Sequence, residues 1–302
     1  MSYDLYITPR QFDVRAMCDW FERRNHYEVS DVQALYSNAD TGTYFSFDFE
    51  PDPSAEEGEE RRQPYVAFNL NFFRPHTFGL EAEPEIAAFL AQFDSAIHDP
   101  QTDGMADGPY SREGFLRGWN AGNRFGFSAV GRRSNPPPPW AIDPVVIEAV
   151  WKWNYGRADL QNAVGDQIFA PRVFWFLLAG ADAPIAACVW TSDVPTLIPE
   201  SAATHIALLR KPRRSLLSRV GFTPSGDESQ VEMKFVRIRD VADVVVMDRR
   251  DVGGYQVLSA PIAQTNGVRR LFSGPWPSDA TRTVPTEDIC GTDLVALMKQ
   301  SS

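Results

Sequence analysis

Residues 41–93 constrain this fold more than any other stretch. Thr43-Tyr-Phe-Ser-Phe-Asp-Phe-Glu50 sets Phe45, Phe47 and Phe49 against Tyr44, Ser46 and Asp48. Successive strand side chains point to opposite faces, so the pattern predicts one buried face and one open to water or a ligand. Tyr65–Phe73 repeats the device, with Val66, Phe68, Leu70 and Phe72 on one side and Asn69 and Asn71 on the other. Ile86, Phe89, Leu90, Phe93 and Ile97 then recur at helical spacing. They predict a helix over 84–97 with Pro84 at its first position. Glu81, Glu83 and Glu85 surround that expected start, where unpaired backbone N–H groups favour acids.

Tyr3–Ile7 reads as a first strand, stopped by Pro9. Val14, Met17, Cys18 and Phe21 form one helical stripe within 11–24, and 33–37 is a further strand. Residues 99–110 read as loop. Ser111 is placed to cap a helix carrying Phe115, Leu116 and Trp119. Four consecutive prolines within Arg132–Trp140 exclude helix interior and central strand, so this is a stiff connector. The expected division is an acidic α+β domain over 1–134, a connector over 135–143 and a second α+β domain over 144–302. The second half opens with a helix from Pro144 to about 156. Strands follow at 173–178, 185–190, 205–210, 231–238, 243–248 and 255–258, with helices at 261–272 and 286–298. Strands and helices mix without strict alternation. The class is therefore α+β: mixed or antiparallel sheets with flanking helices, in two α+β halves.

The 302 residues carry a net charge of -11. Residues 1–134 hold 22 acidic and 12 basic side chains, a net of -10, so the acidity belongs almost wholly to the first half. Such a field repels phosphate backbones and argues against nucleic-acid binding. It either attracts a basic protein or simply keeps the chain in solution. Cys18, Cys188 and Cys290 are far apart and odd in number, which fits a reducing compartment. The first ten residues are too polar for a signal peptide, and no run is long enough to span a bilayer. The expectation is a soluble cytoplasmic protein without a membrane partner.

Reactive chemistry is sparse. His26, His76, His98 and His205 are isolated, with none of the spacings that hold a metal. Gly221–Gly226 lacks the Lys-Ser/Thr ending of a phosphate loop, and Gly118–Gly122 opens no βαβ unit, so no cofactor is expected. Cys18 lies on a core stripe rather than in a nucleophile motif. Asp48, Asn69 and Asn71 would form a polar row if their strands pair. That row is a wet sheet face, a partner-binding face or the floor of an active site. Trp119, Asn120, Asn123 and Arg124 are residue types that anchor interfaces, although Trp119 is equally suited to a core. Glu56, Glu57, Glu59 and Glu60 crowd a loop that would meet a basic partner. Arg210-Lys-Pro-Arg-Arg214 is the one basic cluster.

Tyr3-Asp-Leu-Tyr-Ile7, the strand Tyr44-Phe-Ser-Phe-Asp48, Phe68-Asn-Leu-Asn-Phe72 and Gly118-Trp-Asn-Ala-Gly122 give the first 125 or so residues their style. In that style the chain resembles bacterial immunity proteins of polymorphic toxin systems, including those paired with type VI secretion effectors. The resemblance implies a cytoplasmic protein that binds a cognate toxin and occludes its active site. It transfers no residue roles. The alternative is a hydrolase-like enzyme using Asp48, Asn69, Asn71, Arg74 and His76.

Overall fold

The computed structural model describes residues 1–51, 63–130, 139–191, 195–199, 201–210, 232–242, 248–252, 255–259, 270–273 and 282–300. The chain divides into two compact units, residues 1–147 with 285–302, and residues 148–284. The division thus falls a few residues beyond the proline-rich stretch, and the C-terminal segment belongs to the first unit.

The first unit runs β1 (Ser2–Thr8), α1 (Val14–Phe21), β2 (Tyr27–Val29), β3 (Gln33–Asn38), β4 (Thr43–Glu50), β5 (Tyr65–Asn71), α2 (Thr77–Phe93), β6 (Ala96–His98), α3 (Arg112–Val130), β7 (Trp140–Ile142) and into α4 (Pro144–Tyr155). Six strands form one antiparallel sheet in the order β2-β3-β4-β5-β1-β6. Alternation does what the sequence predicts. Tyr3, Leu5, Ile7, Phe45, Phe47, Phe49, Val66, Phe68 and Leu70 are all buried on one face. Met17 and Phe21 of α1, Phe78, Ile86 and Phe89 of α2, and Phe115 and Trp119 of α3 join them in one cluster. At its centre the Phe47 ring meets those of Phe21, Phe89 and Phe68 at 5.0, 5.2 and 5.3 Å, tilted and edge-to-face pairings that add to simple area burial.

Local signals set the helix ends. The Asp13 carboxylate accepts the Ala16 N–H at 3.1 Å and starts α1 inside the expected 11–24 span. Ser111 caps α3 as expected, its hydroxyl accepting the Gly114 N–H at 3.0 Å. The expected start of α2 at Pro84 is wrong. The helix begins at Thr77, and Pro84 sits inside it on the exposed side. A proline there withholds a donor from the carbonyl one turn back, and burial of Phe78, Ala82, Ile86 and Phe89 outweighs that loss. Gly79 is required, because a Cβ would overlap the Trp119 indole. The helix stops at Asp94, in the left-handed region with φ 45°, so Ile97 lies on β6 rather than on the helix.

The second unit carries α5 (Arg157–Val164), β8 (Val173–Leu177), β9 (Ile185–Thr191), β10 (Thr196–Leu197), β11 (His205–Arg210), β12 (Glu232–Arg237), α6 (Ile238–Ala242), β13 (Asp248–Val252), β14 (Tyr255–Ser259) and β15 (Arg282–Val284). Its mixed sheet has the order β12-β11-β9-β8-β15, with β9 and β11 parallel; β10-β14-β13 form an antiparallel sheet. Of the expected strand 243–248, only Asp248 is among the described residues, and it opens β13. Of the expected helix 261–272, residues 261–269 lie outside them.

The last segment corrects the expected helix over 286–298. Thr286–Asp288 is a 3-10 turn, β16 (Ile289–Gly291) pairs in parallel with β7, and only α7 (Thr292–Gln300) is α-helical. Cys290, Leu294, Val295 and Met298 bury against Phe127 of α3. Pairing with a strand so distant in the chain leaves no local sequence pattern.

Candidate functional site

The predicted polar row exists, and its side chains serve one another. Asp48 accepts hydrogen bonds from Gln33 Nε2 at 2.6 Å and Ser46 Oγ at 3.3 Å. Asn69 faces Ser46 across the β4–β5 pair and donates to Asp4 Oδ1 at 2.5 Å. Ser2 Oγ donates to Asp4 Oδ2 at 3.1 Å. Asn71 is exposed at the strand end. Asp48 lies opposite Ala67, roughly 13 Å along the strand from Asn71 at ~3.3 Å per residue. Arg74 turns to a different task. Its Nε and a terminal nitrogen donate to Tyr44 Oη at 2.9 and 2.5 Å, and Tyr44 donates to Glu287 at 2.7 Å. Burial, and then the Glu287 contact, raise the Tyr44 pKa. His76 is half-buried at the foot of α2. Asp48, Asn69, Asn71, Arg74 and His76 therefore do not converge on one point.

Glu81, Glu83 and Glu85 are not helix-start acids. All three lie well inside α2, and each ties it to a different element. Glu81 is 0% exposed, and one of its oxygens accepts from Tyr36 Oη at 2.8 Å, Asn38 Nδ2 at 2.8 Å and Thr41 Oγ1 at 3.0 Å. Glu83 accepts from Tyr110 at 2.9 Å and pairs with Arg112 at 2.9 Å. Glu85 pairs with Arg24 at 2.8 Å and accepts from Tyr27 at 3.0 Å. The sequence signal for Glu81 was its place between Phe78 and Ala82 on the buried stripe.

The α3 candidates separate into core and surface. Trp119 is 0% exposed, with its ring stacked on Phe72 at 5.5 Å, so it is a core residue and not a surface anchor. Asn123 is likewise buried. It accepts from the Phe73 N–H at 2.8 Å and donates to the Arg74 carbonyl at 2.9 Å, holding the turn that leads from β5 to α2. Asn120 and Arg124 are exposed, and Arg124 pairs with Asp293 at 3.0 Å. Because α3 packs on the buried sheet face, these two are separated by the sheet from Asp48 and Asn69. Glu56, Glu57, Glu59 and Glu60 lie outside the described residues, as do Gly221–Gly226 and the basic cluster beyond Arg210.

A groove missed by sequence reading lies at the other border of this unit. It holds about 660 Å³ between the start of β1, the 101–103 loop and α3. Asp4 and Asp103 line it, together with Gly118, Gly122 and Phe125, a residue that is 66% exposed. Asp99 shapes its rim, accepting from Tyr3 Oη at 2.6 Å and from the Gln101 and Met105 N–H groups at 2.9 Å each. No known protein family matches the sequence, and no curated protein or solved structure matches it. Among the described residues no cluster of His, Cys, Asp and Glu is placed to hold a metal, and no helix is long and apolar enough to cross a membrane.

The cysteines make a direct test of the nucleophile question. Burial pushes Cys188 and Cys290 up to about 12, leaving on the order of one thiolate in ten thousand at pH 8. Cys18, half-exposed, is also raised by partial burial and then by Glu22. In the folded protein a thiol reagent at pH 8 is expected to modify Cys18 first. Cys188 and Cys290 should follow only on unfolding, as peptide mass mapping would resolve. Prompt labelling of Cys188 or Cys290 would contradict their burial.

Proposed function

We propose that this chain is a protein-binding protein of the immunity type, which neutralises a cognate bacterial toxin by covering its working surface. The observation that carries the reading is the groove. Two acids and an exposed aromatic ring sit together in the half of the chain that holds nearly all the net negative charge. Exposed aromatics supply contact area at little entropic cost, and an acidic field speeds the approach of a basic partner. The neighbourhood of Asp48 supports the same reading, since its polar groups are already paired with one another and are not poised around a reacting atom.

Co-purification with the product of the adjacent gene tests this function. A basic partner, held tightly at low salt and associating many-fold more slowly at high salt, is the expected result. A partner whose association is insensitive to salt, or the absence of any toxin from the locus, would refute it.

A further inference from the structure

The sheet of the first unit is unfinished beside the groove. β1 pairs with β5 from Ser2 to Ile7, but β6 covers its other edge only at Tyr6, Ile7 and Thr8. Beyond His98 the chain leaves the edge. Asp99 bridges to Ala106, Pro100 has no N–H to offer, and Gly104 crosses against Gly118 of α3. Backbone groups of an antiparallel strand point alternately to the two sides. The Phe72 N–H donates to the Met1 carbonyl, which assigns Met1, Tyr3, Leu5 and Ile7 to the β5 side. Ser2, Asp4, Tyr6 and Thr8 therefore direct their N–H and C=O groups the other way. β6 takes those of Tyr6 and Thr8. Those of Ser2 and Asp4 face the groove, and the same two residues line it.

We infer that this half-edge is a strand-addition site, which takes an extended basic segment of the partner protein as a continuation of the β6 position. The inference rests on the protein-binding reading above and names where and how that binding occurs. An exposed pair of donors and acceptors offers main-chain hydrogen bonds to an incoming strand, and the pockets beside it select alternate side chains. One row of the incoming strand would face α3, where Ala121 lines the groove and the exposed Phe125 forms a wall. Apolar side chains fit there. The other row would run along the sheet face that carries Asp4, with Asp103 on the loop opposite. Those two acids are the ionisable side chains lining the groove, so lysine or arginine is the complementary choice. The expected segment alternates basic and apolar residues.

The test uses the full-length protein and a peptide of about six residues alternating lysine with valine, long enough to span the free half-edge. Its acidic counterpart, with glutamate for lysine, is the control. Hydrogen exchange should show the Ser2 and Asp4 amides slowed at least about tenfold by the basic peptide and unaffected by the acidic one. Ser2→Pro removes an outward N–H while sparing the β5 ladder, a substitution edges tolerate, and should weaken binding about tenfold. Phe125→Ser, at an exposed position, should weaken it independently of β1. Binding of the basic peptide that leaves both amides unprotected, or that Ser2→Pro does not change, would overturn strand addition while leaving the protein-binding reading intact. Equal binding of both peptides would overturn the charge preference. Pairing of two copies through this edge, seen as a dimer by sedimentation that Ser2→Pro abolishes, would overturn the assignment to a foreign partner. Failure to bind any basic peptide or protein would count against the protein-binding reading itself.

Discussion

Glu81→Ala is expected to destabilise the first unit by about 3 kcal/mol, since three buried groups lose their acceptor at roughly 1 kcal/mol or more each. Tyr36 Oη, Asn38 Nδ2 and Thr41 Oγ1 all bond to this one carboxylate oxygen. Asn38 and Thr41 are almost fully buried, so water cannot replace what is removed. Glu81→Gln retains an acceptor oxygen and should lose far less. Urea unfolding would give both values, and hydrogen exchange would place the damage in β3 and at the start of β4. A loss below about 1 kcal/mol for Glu81→Ala would mean that the three donors find other partners.

Trp119→Ala should cost about 4 kcal/mol, as a large aromatic is deleted from a closed core. The ring packs between Phe72 and Gly79, where no side chain can expand to fill the void. Trp119→Phe separates volume from polarity. The indole N–H is buried with no hydrogen-bond partner among the described residues, so phenylalanine forfeits no bond and the change should cost a small part of the alanine figure. Partner affinity should survive Trp119→Phe. If Trp119→Ala instead left stability intact and abolished binding, the residue would be an interface anchor after all.

These two residues show how much the sequence disclosed. β1, β3, β4 and β5 were legible because period-2 alternation is a local signal carried by each strand alone. The order of those strands, and the edges β2 and β6, were not, since three-residue strands are too short to show a pattern. Pro84 misplaced the start of α2 because proline is commonest at a first helical position, and here packing of the preceding turn overrode that preference. Trp119 suits core and surface equally in sequence, since an isolated aromatic carries no sign of which side it faces. In sequence Glu81 looks, like its neighbours, a helix-start acid. The donors that justify it come from β3 and the turn after it, about forty residues away. The groove was invisible for the same reason: β1 and α3 meet only in three dimensions.

The return of residues 285–302 to the first unit orders events during synthesis. β7 emerges from the ribosome well before β16, the strand it pairs with. Until translation reaches the far end, Phe127 on α3 stays uncovered by α7, and a chain cut short before residue 285 would keep that apolar surface permanently. The inserted unit has every one of its residues available earlier. A nascent chain can therefore finish its middle before its beginning, and quality-control proteases would find the truncated product by the seam it cannot close.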